Sequence, residues 1–293
     1  MAFSASHAAL EGFRLVGRRP VSFVVWSLVL GVMFAALCFG AAWLFGSQFS
    51  DVFASSHLAP ARALSFLGWF FAAFLVVFIV MMAYLSTIYC AIYRAILKPV
   101  RPGFAYLQFG RDEWNMVLLQ LAMFVIVMVF ELAGVGIGLG IYASPLLTGA
   151  KVSLIILEVL VLLVTMLITM VRWSLAGPVI VAEGRLDFGR SWSLTRHHLW
   201  PMFGMLLLAG ILGLVISTAM QLVVRPISFL VFNPYQSPPP APAQVWSRMW
   251  DLVVANPGPT AAVTALLLLA TTLQTVVQLA PVAAAYRDLT AEA

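Results

Sequence analysis

The sequence predicts an all-α polytopic membrane bundle. It has six transmembrane helices, three cytoplasmic-side interfacial helices and a threefold internal repeat of helical hairpins. Three observations carry this. Of 293 residues, 63% are hydrophobic and only 9% are charged, against ~45–50% and ~25% in a soluble domain. Mean hydropathy is +1.03. Apolar runs longer than the ~20 residues that cross a bilayer recur six times along the chain. This composition excludes a soluble globular enzyme, a disordered tail and a secreted disulfide scaffold.

The elements follow in order. Arg14, Arg18 and Arg19 precede a first span at 21–45. That run is longer than the ~7–15 residues of a signal-peptide core, so it is predicted to stay uncleaved. Span two, 64–93, is long enough to tilt or to project its end near Tyr93 past the lipid. Spans three and four are predicted at 115–142 and 152–176, five and six at 201–224 and 260–284. The last outer loop, about 225–259, contains Pro238-Pro239-Pro240-Ala241-Pro242, a stiff extended stretch. In the segment after it, Trp246, Trp250 and Val253 share one helical face. They predict a helix lying on the outer leaflet, with a lid or docking arm as the alternative.

Orientation follows from Lys and Arg. With the N-terminus inside, the inner segments hold Arg14, Arg18, Arg19, Arg94, Lys98, Arg101, Arg111, Arg172, Arg185, Arg190, Arg196 and Arg287. The outer ones hold Arg62, Lys151, Arg225 and Arg248, and together these are all 16 basic residues. Both termini are therefore expected in the cytoplasm of a bacterial cell, the chain being a multi-pass inner-membrane protein. The net charge of +5 fits orientation and anionic lipid rather than nucleic acid. Cys38 and Cys90 lie inside apolar runs and are expected to be small packing residues, not a disulfide.

The inner segments resemble one another. The first, Gly12 to Pro20, runs into span one; the second, Gly103 to Arg111, into span three; the third, Phe188 to Arg196, into span five. Each mixes aromatics with Arg at a spacing that makes an amphipathic helix suited to the headgroup layer. Phe13 to Phe104 is 91 residues and Phe104 to Phe188 is 84. The chain is read as a single membrane domain, 1–293, with repeat units at about 4–96, 97–180 and 181–293. The alternative is that aromatics and Arg simply accumulate at any inner interface.

Two carboxylates stand inside spans, where charge is costly. Glu131 is 15 residues before, and Glu158 12 residues after, an outer turn centred near residue 146. A tight hairpin would bring them to similar depth, as a site responsive to protons or cations. Alternatively each is a polar residue that binds helices together, with Lys151 as a pairing partner of Glu158. The glycines of Gly134-Val135-Gly136-Ile137-Gly138-Leu139-Gly140 suit close helix contact rather than a nucleotide loop. His7, His57, His197 and His198 lack the i, i+4 spacing of a metal helix. No nucleophile elbow, P-loop, kinase signature or zinc-spaced cysteine pair occurs, and no cofactor or metal is expected. Glu183, Asp187 and His197 share one inner loop, which leaves a membrane-embedded lipid-modifying enzyme as a further alternative.

The most characteristic stretch is Arg172-Trp173-Ser174-Leu175-Ala176-Gly177-Pro178-Val179-Ile180-Val181-Ala182-Glu183-Gly184, followed by Arg190-Ser191-Trp192-Ser193-Leu194-Thr195-Arg196. It resembles a large group of uncharacterised bacterial six-span proteins. It is also similar to the membrane domain fused ahead of some bacterial glycerophosphodiester phosphodiesterases. The matching positions are Arg172, Pro178, Glu183, Arg190, Ser191, Trp192, Leu194 and Thr195. The likeness is tight over 172–200 and looser elsewhere. It implies a helical membrane domain without the phosphodiesterase activity, whose catalytic barrel has no room in this chain.

The same residues also have a direct physical reading. Pro178 ends span four. Glu183 pairs with Arg172, Arg185 or Arg190. Asp187 caps the third surface helix, and Trp192 anchors it. The expected function is a non-enzymatic module that binds lipid or a partner membrane protein in envelope maintenance. Arg172, Glu183, Arg190, Trp192 and Arg196 are its candidate contacts. The runner-up is a small transporter or channel using Glu131 and Glu158.

Overall fold

The computed structural model describes residues 5–54, 60–99, 104–232, 251 and 253–292. The Pro238–Pro242 stretch and the Trp246/Trp250 face lie outside these residues. In chain order the elements are α1 (Ala5–Ala9), α2 (Glu11–Arg18), α3 (Pro20–Ala54), α4 (Pro60–Leu97), a 3-10 turn (Phe104–Tyr106) and α5 (Arg111–Ala143). Then come α6 (Thr148–Trp173), α7 (Ala176–Glu183), α8 (Phe188–Thr195), α9 (Leu199–Phe232) and α10 (Pro257–Glu292). Among the described residues there is no strand, and six helices are long and apolar enough to cross a membrane. The chain is an all-α multi-pass membrane protein.

Local chemistry explains the boundaries. Helices α3, α4 and α10 each open on proline, which lacks the N–H that a first helical residue would leave unpaired. Gly110, before α5, donates its N–H to Glu113 Oε2 at 2.8 Å, half of a capping box. Pro178 has no N–H for the Ser174 carbonyl and would crowd it, so the helix breaks at Ser174–Leu175. It does not end there for good, since α7 begins at Ala176 with Pro178 in its first turn. Asp187 caps α8, as expected: its Oδ1 accepts the Arg190 N–H at 2.8 Å.

The long helices are apolar on all sides. Phe70, Phe71, Phe74, Leu75 and Val76 on α4 are all exposed, and so are Ile156, Leu157, Val159 and Leu160 on α6. A helix with exposed apolar groups around its whole circumference suits hydrocarbon rather than water. At 35 residues and ~1.5 Å per residue, α3 is also longer than the ~30 Å hydrocarbon layer.

Two of the three expected surface segments are helical, α2 and α8. The second is not. Over 103–111 the described chain forms only the turn Phe104–Tyr106, with Ala105 at φ 50° and Tyr106 at φ 61°. Left-handed backbone at consecutive non-glycine residues stops a helix. The Tyr106 side chain holds it there: the ring is buried and its hydroxyl donates to the Pro99 carbonyl at 3.2 Å.

The contacts divide the chain into two compact units. One comprises residues 1–11, 85–209 and 279–293, the other 12–84 and 210–278. Helices α2, α4, α9 and α10 each contribute to both units. In the second unit Gly12 lies so close to α10 that a Cβ there would come 2.6 Å from Val277 Cα. The first unit has a continuous core of Ala8, Val171, Leu175, Val179, Met202, Met205, Val282, Ala285 and Leu289 with their neighbours. At its centre is α7, in which every residue from Ala176 to Val181 is buried.

Candidate functional site

Within the first unit the polar side chains gather around α7 and α8. The end of α7 is tied down by its neighbours. Gly184 takes the left-handed conformation, φ 73°, that closes a helix, and its N–H reaches the Ile180 carbonyl. Lys98 Nζ donates to the Val181 carbonyl at 2.6 Å, and Asn115 Nδ2 to the Gly184 carbonyl at 3.3 Å. These donors satisfy carbonyls that a helix end leaves without partners, and the lysine also complements the negative end of the helix dipole. At the other end of α7, a Cβ on Gly177 would meet the Tyr93 ring at 2.7 Å. Only glycine lets the two approach so closely.

Beside this lies a buried ion cluster. Arg94 on α4 is 7% exposed and Glu113 on α5 is 1% exposed. The guanidinium fork divides between two adjacent acids, with Nη1 on Glu113 Oε1 and Nη2 on Asp112 Oδ2 at 3.0 Å. The second Glu113 oxygen is already held by the Gly110 N–H. Buried charges persist when paired in this way. The cluster joins α4 to the start of α5. The adjacent acids Asp112 and Glu113, in a segment otherwise rich in basic residues, were its sequence signal. Arg94 reads in the sequence as one more orienting charge.

The expected contacts fall into two groups. Glu183 receives Arg185 at 3.2 Å, Arg190 Nε at 3.4 Å and the Tyr286 hydroxyl at 3.2 Å. Arg185 also reaches Asp187 at 3.4 Å. Arg172, an expected partner of Glu183, is not among these. Its guanidinium carbon lies 5.1 Å from the centroid of the Trp192 ring. Its backbone carbonyl, near the broken end of α6, accepts hydrogen bonds from Ser191 Oγ at 2.8 Å and Thr195 Oγ1 at 3.4 Å. Both of those hydroxyl residues are fully buried. Helix α8 is thus fastened by one side to the end of α6. Its other side presents Trp192, Ser193 and Arg196, all exposed. Arg196 has no ion-pair partner among the described residues, and no hydrogen bond joins His197 to Glu183 or Asp187.

Glu131 and Glu158 lie apart from this corner, on the hairpin of α5 and α6. A Cβ at Gly134 would stand 2.8 Å from Leu162 Cδ1, and one at Gly138 would stand 3.6 Å from Glu158 Oε2. The Glu158 carboxylate lies beside both glycines, its Oε1 4.0 Å from the Gly134 Cβ position. Glu131 is three residues before Gly134 on the same helix. Glu131 is exposed, while Glu158 Oε1 is closed off with no hydrogen-bond partner. Lys151 pairs elsewhere: its Nζ donates to the Tyr142 carbonyl at 2.7 Å across the turn.

Cys90 is buried among the residues of α4, as a packing residue would be. No curated protein and no solved structure matches the chain. A family described as a domain of unknown function, DUF7847, matches residues 3–289, a stretch that takes in α7, α8, the ion cluster and the glycine hairpin alike. The chain belongs to that family.

Proposed function

We propose that this is a non-enzymatic module of the bacterial inner membrane that binds anionic lipid, with α8 seated in the cytoplasmic headgroup layer. The role we assign is envelope maintenance. The observation that carries this reading is the two-sidedness of α8. Its buried Ser191 and Thr195 bind the end of α6, while Trp192 and Arg196 are left on the open side, with Arg190 exposed but paired to Glu183. An aromatic ring beside basic side chains at the end of a spanning helix suits the interface, where rings prefer the acyl boundary and cations meet phosphate. The excess of basic residues at the inner segments supports the same side. The likeness of 172–200 to the membrane domain of phosphodiesterase fusions supports a membrane role without the enzyme. A partner membrane protein on α8 is the other occupant of this reading. Glu183 and Asp187 are held by arginines and Tyr286, which suits a structural corner more than hydrolysis.

The test is retention of phosphatidylglycerol against phosphatidylcholine by the purified full chain. Selective retention of phosphatidylglycerol is expected. Arg196→Gln should weaken it about fivefold, the contribution of one basic residue near an anionic surface. Equal retention of both lipids by the wild-type chain would count against the reading.

A second reading is a small transporter or channel using Glu131 and Glu158. It is favoured by the closed-off Glu158 Oε1 beside the Gly134–Gly138 face. Labelling of a cysteine placed at Leu162 by a water-soluble maleimide would support a water path there. Protection would support a closed bundle.

A further inference from the structure

We infer that Arg172 forms a single phosphate site, which takes the phosphodiester of one anionic phospholipid headgroup. This rests on the lipid-binding reading and assigns it a point of attachment. Arg172 Nε and Nη1 are both closed from solvent and have no hydrogen-bond partner. A guanidinium carries five N–H donors and no acceptor, and a buried donor left unpaired is costly. The neighbouring acids are already engaged. Glu183 holds Arg185, Arg190 and Tyr286, and Asp187 holds Arg185 and the α8 N-terminus. Among the described residues no carboxylate pairs with Arg172.

The group is nevertheless held in place. The Trp192 ring lies 5.1 Å from its guanidinium carbon, a cation–π contact that orients the plane. Ser191 and Thr195 fix the backbone beneath it through the Arg172 carbonyl. The residue as a whole is partly exposed, so an anion meets the open Nη2 edge of the guanidinium first, and the closed Nε and Nη1 are reached by a small turn of the side chain.

Position selects the ligand. Arg172 is in the last turn of α6, a helix of 26 residues that is long enough to cross the hydrocarbon layer. Trp173, Trp192 and Trp200 lie close by in the chain, and the last two are exposed. Tryptophans at the end of a spanning helix mark headgroup depth. The anion available there is phosphate, and a planar guanidinium binds phosphate through paired, charge-assisted hydrogen bonds.

The experiment uses the full chain in detergent and counts bound phosphatidylglycerol by native mass spectrometry, with and without inorganic phosphate. One tightly held lipid per chain is expected. Binding should weaken about tenfold or more in Arg172→Gln. It should weaken less, but measurably, in Arg172→Lys, because an ammonium keeps the charge and loses the fork. Should Arg172→Gln fail to fold, Arg172→Lys decides. Wild-type lipid retention in the Arg172 variants, with loss in Arg196→Gln, would overturn the site and leave the surface reading standing. Retention in all of them would overturn both. Displacement of the lipid by millimolar inorganic phosphate would overturn the lipid assignment in favour of a free-anion site.

Discussion

Replacing Arg94 with methionine is expected to destabilise the protein by ~3–5 kcal/mol, because Glu113 is left buried without its counter-charge. The size follows from burial. Glu113 is 1% exposed, so water cannot take the place of the lost guanidinium, and Asp112 loses the same partner. A reversible unfolding titration in mixed detergent micelles measures the effect. The double variant Arg94→Met/Glu113→Gln removes both charges of the buried pair and is expected to recover a substantial part of the loss. The two changes should therefore be strongly non-additive. Additive losses would mean that the cluster is not a coupled unit.

The second large effect is expected at Gly177. A leucine there would drive its Cβ into the Tyr93 ring, 2.7 Å away, and Tyr93 is itself 4% exposed with little room to withdraw. Overpacking of this kind costs ~1–3 kcal/mol and can exceed that where rigid groups meet on both sides. Because α7 is buried along its length, displacement at Gly177 should also disturb the Lys98 and Asn115 hydrogen bonds at its other end. Gly177→Leu is expected to lower the thermal midpoint of the solubilised protein. Tyr93→Ala in the same chain should return part of the loss by opening space, despite the cavity it leaves elsewhere. A Gly177→Leu variant as stable as wild type would show that α7 can shift away from α4.

The spans were legible in the sequence because an apolar run of spanning length has few other uses. Each of the six predicted spans falls on a long helix, and the misplaced limits have local causes. Span one runs on to Ala54 because nothing in Ala41 to Ala54 breaks a helix. The Asp187 cap was legible for a similar reason, since capping depends on side chains within one turn. What escaped depended on tertiary packing. Helix α7 read as the tail of span four and a loop, because its eight residues carry no polar face to mark a helix period. Only its burial against the ends of α6, α9 and α10 shows what it does. The second surface segment has the composition of an amphipathic helix, yet Tyr106 turns inward and the backbone follows. At the corner, Arg172, Glu183, Arg190 and Trp192 were all named from their types. Their sorting into a Glu183 network and an Arg172–Trp192 pair required the three-dimensional arrangement.

The proposed seat of α8 is the headgroup layer, and its depth can be measured directly. A nitroxide attached through Ser193→Cys, on the exposed side of α8, can be read by electron paramagnetic resonance power saturation in vesicles containing phosphatidylglycerol. A collision profile at headgroup depth is expected, with access to oxygen well above that of a label in water. A label as open to water-soluble relaxant as one on a free loop would contradict it.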